Sequence, residues 1–304
     1  MVLAVQFQFF TFLAGFLASG AAGLPSFGFQ RIVREIVSHL PKQLDKTELA
    51  QPPRLDINEP PQDTETLQGS SLRLECQASG IPPPVITWTL DGVPVKVGKY
   101  QRDDNTVEKL LNVGHVTQEF AVTAAALEVD CADREDAGRY ACVASNGHLT
   151  KKASAVVTVQ PTNSLSTCLK KKSAHEVEPR IYMWTDSRIE DMGSSAQLFC
   201  RASGSPRPRI SWHRSLCADE DCEELVEEPL PIKSEKFMQL PSGDLIIKNA
   251  TWDEEGEYIC IAENQNGRSR SSSYFYPTAK ENETEDADLN YSDDNLDDYA
   301  LELL

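Results

Sequence analysis

Past Leu17 this chain has no long apolar stretch, it is short of bases, and its five histidines stand apart from one another. Each shortage excludes something. With 29 Lys and Arg against 47 Asp and Glu the net charge is −18, and a surface that acidic repels nucleic acid and heparin. The histidines, at 39, 115, 148, 175 and 213, form no metal-spaced pair. No nucleophile elbow or phosphate-cradling glycine loop accompanies them. The sequence therefore points away from an enzyme, and it calls for no cofactor or metal. The apolar run Met1 to Leu17 is followed by the small residues Ala18 to Gly23, which reads as a secretory signal peptide over 1–23. That run is short of the ~20 residues a membrane span needs. The expectation is a secreted protein with no membrane insertion.

What the chain does have is a repeat. Cys76-Gln-Ala-Ser-Gly-Ile-Pro-Pro-Pro-Val-Ile-Thr-Trp88 recurs as Cys200-Arg-Ala-Ser-Gly-Ser-Pro-Arg-Pro-Arg-Ile-Ser-Trp212. Downstream, Asp136-Ala-Gly138-Arg-Tyr140-Ala-Cys142 matches Glu254-Glu-Gly256-Glu-Tyr258-Ile-Cys260. A cysteine, a tryptophan shortly after it, and a later Tyr-x-Cys make the immunoglobulin-sandwich pattern. The two cysteines bridge the sheets, the tryptophan packs on the bridge, and the tyrosine hydroxyl pins the corner before the last cysteine. The predicted fold is all-β, with two tandem immunoglobulin-like (I-set type) sandwiches over 53–160 and 179–278. A Ser/Thr/Lys-rich linker joins them over 161–178. The extension 24–52 carries apolar residues at helical spacing, Phe29, Ile32, Val33, Ile36, Val37 and Leu40, and predicts a short amphipathic helix. The stretch Gly98 to Gln118 is long for its place between strands and has room for extra edge strands. The tail, 279–304, is expected to be disordered: from Glu281 on it holds ten acids and no base.

Eight cysteines suit an oxidising compartment. The repeat predicts Cys76–Cys142 and Cys200–Cys260. Cys131, before one corner of the first sandwich, and Cys168, beyond its last strand, belong to the same pole and form a natural third pair. Cys217 and Cys222 close a short loop after Trp212; they lack the second ligand pair that a zinc site requires. Asn249, Asn282 and Asn290 stand in glycosylation sequons.

One asymmetry between the repeats suggests a partner surface. On the outer faces of strands B and E the first domain places Glu75 and Glu128, while the second places Phe199 and Ile246. Ile181-Tyr-Met-Trp184, as the neighbouring strand A, adds Tyr182 or Trp184 to the same side. A continuous apolar patch of this kind marks a partner surface, unless the first domain or the N-terminal helix covers it.

The second domain also carries Pro179-Arg-Ile181, Asp191-Met-Gly-Ser194, Gln197-Leu198, Cys200-Arg201, Gly243-Asp-Leu245, Trp252, Cys260-Ile-Ala262, Asn264, Gly267 and Tyr276-Pro277. Together these resemble the arthropod neural/ectodermal development factors, secreted two-immunoglobulin proteins related to nematode counterparts. The longer acidic tail, the Cys217/Cys222 loop and the N-terminal helix depart from that family. The resemblance implies sequestration of insulin-like peptides or insulin-like growth factors and damped insulin signalling. The rival reading is a neuronal or matrix protein for cell adhesion or axon guidance.

Overall fold

The computed structural model describes residues 48–97, 106–162, 176–217 and 225–279. The expected signal peptide, the amphipathic helix, Cys168, Cys222, Asn282, Asn290 and the acidic tail lie outside the described residues.

In chain order the strands are β1 (Glu48–Leu49), β2 (Arg54–Glu59), β3 (Thr64–Leu67), β4 (Leu72–Ile81), β5 (Val85–Leu90) and β6 (Val93–Val95). After a six-residue helix, α1 (Thr106–Leu111), come β7 (Val116–Thr117), β8 (Phe120–Val129), β9 (Gly138–Ser145) and β10 (Thr150–Gln160). The second half holds β11 (Val177–Asp191), β12 (Ala196–Leu198), β13 (Cys200–Ser205), β14 (Arg209–Cys217) and β15 (Leu225–Pro229). It closes with β16 (Phe237–Gln239), β17 (Leu245–Ile247), β18 (Gly256–Asn264) and β19 (Gly267–Thr278).

Strict alternation builds the first sandwich. On β4, Leu72, Leu74, Cys76 and Ala78 are buried while Arg73 and Glu75 between them are exposed, the period of a pleated strand with one wet face. β2, β4 and β8 form one sheet, and β3, β10, β9, β5 and β6 form the other. The Cys76–Cys142 disulfide joins the sheets with the Cα atoms 6.4 Å apart, Trp88 is buried beside it, and the Tyr140 hydroxyl donates to the Asp136 carbonyl at 2.9 Å. The second sandwich repeats the plan: Cys200–Cys260 spans 6.4 Å between Cα atoms, and the Tyr258 hydroxyl donates to the Glu254 carbonyl at 2.8 Å. Trp212 Nε1 donates to the Gly243 carbonyl at 2.9 Å. Gly243 is required there, since its φ is +111° and a Cβ would meet the Cys200 carbonyl oxygen at 2.6 Å.

The two sandwiches share a sheet. In the first, β8 has β4 on one side. On its other side an immunoglobulin sheet would place strand D, but the described part of the β6–β8 connection holds only α1 and the two-residue β7, which pairs with β1. The expected extra edge strands are thus reduced to that short pairing. The vacant edge is taken by β11 of the second sandwich, antiparallel, with Met183 opposite Ala125 and Ile189 opposite Phe120. An exposed strand edge is a template for unwanted pairing, and here the second domain covers it. β11 reaches this position because it changes partner: β13 lies along Val177 to Trp184 and β19 along Ser187 to Asp191. The result is one path of eight strands, β15-β14-β18-β19-β11-β8-β4-β2.

Candidate partner-binding face

Phe199 and Ile246 are both fully buried, so they present no surface to a partner. This corrects the expectation of an open apolar patch on the second domain. The reason is that, among the described residues, no strand D flanks β8, and the second domain packs against that side of the first sandwich instead. Phe199 and Met183 enter that flank and join the cluster of Leu74, Cys76, Trp88 and Leu127. The Arg201 guanidinium lies 5.0 Å from the centre of the Phe199 ring. Nearby, Asn112 brackets Ser195, its Oδ1 accepting from the backbone N–H at 2.7 Å and its Nδ2 donating to the carbonyl at 2.8 Å. Gln197, opposite Ile246 on the neighbouring strand, is buried too. Neither Tyr182 nor Trp184 joins Phe199 and Ile246 in an open apolar patch. Tyr182 packs on the core of the first sandwich and Trp184 on that of the second. A bulge between Ile181 and Met183 breaks the alternation that would have aligned them.

The face that does remain open is the outer side of the shared sheet. Residues paired in register across strands lie on one side, so the side can be followed across the junction. Phe120 on β8 faces Ile189 on β11, and Ile189 faces Tyr276 on β19. One row along, Val122 faces Ser187, Ser187 faces Tyr274, and Tyr274 faces Glu257 on β18. Phe120, Val122 and Ile189 are half-buried. Tyr274 and Tyr276 are 37% and 43% exposed, with ring centroids 4.2 Å apart. This aromatic and aliphatic patch straddles both domains. Toward the far end of β8 the same face turns ionic. Arg73 pairs with Glu75 at 2.7 Å and also with Glu128, while Arg180 pairs with Glu128 at 2.8 Å and Asp130 at 2.6 Å.

Beneath the patch, on the inner side, a buried charge cluster holds the domains together. Arg188 of β11 pairs with Glu108 of α1 and, at 2.6 Å, with Glu190. Glu190 also accepts backbone N–H groups from Gln118 at 3.0 Å, Glu119 at 3.2 Å and Asp191 at 3.1 Å. Glu119, buried as well, accepts from Thr117 Oγ1 at 3.1 Å. Three carboxylates thus surround one guanidinium. Burial raises the Glu108 carboxyl to about 8 against the opposing pull of Arg188, with Glu119 and Glu190 pushing it further up. Glu190 is raised as well, again chiefly by burial. The cluster therefore favours a bound proton.

Of the predicted disulfides, Cys76–Cys142 and Cys200–Cys260 are present. Cys131 is also in a disulfide; its expected partner Cys168, and Cys222, lie outside the described residues. Asn249 is exposed, with a φ of +48°. Sequence reasoning missed the tyrosine pair and Ile189. The alternation Tyr274-Phe-Tyr276 marks an outward aromatic row, but only the cross-domain register sets Phe120 and Ile189 beside it.

The immunoglobulin-domain family profile matches residues 52–146 and 178–264, once in each sandwich. The Caenorhabditis elegans zwei Ig domain proteins zig-4 and zig-3 are each 34% identical to this chain. The match covers 79% of this chain and 87% of zig-4, and 82% of this chain and 90% of zig-3. Neural/ectodermal development factor IMP-L2 of Drosophila melanogaster is 27% identical, over 73% of this chain and 76% of its own length. The crystal structure of IMP-L2 superposes with a TM-score of 0.53 at 24% identity, covering 76% of this chain and 98% of that one, which supports the fold. The protein belongs to the immunoglobulin-domain family and, within it, to the group of two-immunoglobulin-domain proteins that includes zig-4 and zig-3.

Proposed function

We propose that this protein is a secreted binding protein that sequesters an insulin-like peptide or insulin-like growth factor on the outer face of its shared sheet. The observation that carries the reading is the patch of exposed Tyr274 and Tyr276 with half-buried Ile189, Phe120 and Val122. It is apolar and aromatic, the composition of an interface centre, and it is rigid because both its halves belong to one sheet. Low mobility before binding lowers the ordering cost of association. The choice of hormone rests on the resemblance to the neural/ectodermal development factors. Secretion rests on the signal-like segment and on disulfides that need an oxidising compartment. The pairings Cys131–Cys168 and Cys217–Cys222, and a glycan on Asn249, belong to the same proposal.

The test is a titration of the full chain with a labelled insulin-like peptide, wild type against Ile189→Glu/Tyr276→Glu. Saturable binding is expected for the wild type, with at least a tenfold loss in the variant and an unchanged far-ultraviolet circular dichroism spectrum. Equal affinity in a folded variant moves the site off this face. No binding to the wild type, together with self-association at micromolar concentration, favours the adhesion reading.

A further inference from the structure

We infer that the Tyr274–Tyr276 pair, with Glu255 and Glu257 beside it, forms the seat for an arginine side chain of the partner protein. The inference rests on the reading that the outer face of the shared sheet is the binding face, and it adds what the partner must bring. The two rings lie tilted against each other, with centroids 4.2 Å apart and an interplanar angle of 34°. Glu257 stands directly across from Tyr274. Glu255 precedes Gly256, which pairs with Phe275, so the same register brings Glu255 alongside Tyr276. Both acids impinge on the Tyr274 hydroxyl, which is raised first by burial and then by Glu255, Tyr276 and Glu257.

Charge decides the identity of the occupant. At the other end of the face the carboxylates are neutralised, Glu75 and Glu128 by Arg73, and Glu128 and Asp130 by Arg180. Among the described residues neither Glu255 nor Glu257 is in an ion pair. The nearby bases are engaged elsewhere. Arg214 donates to the Glu255 carbonyl at 2.7 Å and lies over the Tyr258 ring, and Arg270 pairs with Glu227 at 2.6 Å. An apolar partner covering the tyrosines would also strip water from two unpaired carboxylates, which is unfavourable without a compensating cation. A basic side chain removes that penalty and gains from the ring faces as well. Arginine fits better than lysine, since its planar guanidinium stacks on an aromatic ring while its fork meets a carboxylate through two donors.

Two measurements on the full chain test this. In the first, acetyl-Gly-Arg-Gly-amide is titrated at millimolar concentration and the tyrosine ring signals are followed by nuclear magnetic resonance. The citrulline peptide, of the same shape without the charge, is the control. The expected result is a saturable shift of the Tyr274 and Tyr276 signals, assigned through Tyr274→Phe and Tyr276→Phe, at least threefold weaker with citrulline. In the second, Glu255→Gln/Glu257→Gln is compared with wild type for insulin-like peptide affinity at low and high salt. A loss of about tenfold at low salt, shrinking at high salt, is expected from removing two charges that face a cation. Equal shifts with both peptides, or no shift with either, overturns the arginine seat even where the hormone binds. A charge-selective shift in a protein that ignores the hormone keeps the seat and rejects the hormone.

Discussion

Replacing Phe199 with alanine removes a ring from the cluster that also holds Trp88 and Cys76 of the other sandwich. A vacated aromatic site of this kind costs about 3–5 kcal/mol, and urea denaturation of Phe199→Ala should show a loss of that size. Tyr276→Ala, at an exposed position, should stay within about 1 kcal/mol of wild type. The pair separates two roles for aromatic side chains in one domain, one filling a neighbour and the other facing solvent. Similar losses in both variants would mean that Tyr276 is structural and does not belong to an open face.

At the scale of elements the junction depends on β11 and on the charge cluster under it. Ser187 has strand partners on both sides, Val122 and Tyr274. Ser187→Pro removes a backbone donor from a central strand and forces the ring among its neighbours. Calorimetry of that variant should show the single transition split in two, while an unsplit transition at the wild-type temperature would show that the strand pairing contributes little. The cluster makes a second prediction, about pH. The Glu108 carboxyl is raised from an ordinary 4.5 to about 8 in the folded chain. Below pH 4.5 both folded and unfolded chains hold its proton. As pH rises toward 8 the unfolded chain releases the proton and the folded one retains it, so stability falls across that window and levels off above it. Glu190 is shifted in the same direction and adds to the trend. Glu108→Gln removes one of these two titrations and should reduce the fall in melting temperature between pH 5 and 8.5. Parallel profiles for wild type and variant would reject the proton-holding cluster.

Across the whole molecule, the shared sheet and core should make the two sandwiches unfold as one unit. Among the described residues, the edge of β8 away from β4 is paired only by β11, and Met183 and Phe199 fill the flank beside it. A fragment spanning 48–162 should therefore expose Trp88, its surrounding cluster and a bare strand edge, and it should aggregate or melt well below the full chain. The full chain should unfold in one transition whose calorimetric and van't Hoff enthalpies agree. A stable, monomeric fragment with a melting temperature close to that of the full chain would show that the shared core is dispensable.

The two sandwiches are legible in the order of residues alone. Cysteine, tryptophan and Tyr-x-Cys occur twice, and the alternation of Leu72, Leu74 and Cys76 with Arg73 and Glu75 assigns faces because successive side chains in a strand point opposite ways. That same alternation correctly turned Phe199 and Ile246 away from the core of their own domain. What it could not supply was the neighbour that covers them. Strand edges pair through backbone N–H and C=O groups, which are the same at every residue and write no code into the side chains. The docking of β11 against β8, the burial of Phe199 and Ile246, and the alignment of Phe120, Ile189 and Tyr276 in one row therefore emerge only in the folded chain, where the described part of the first sandwich offers a strand edge and the second sandwich pairs with it.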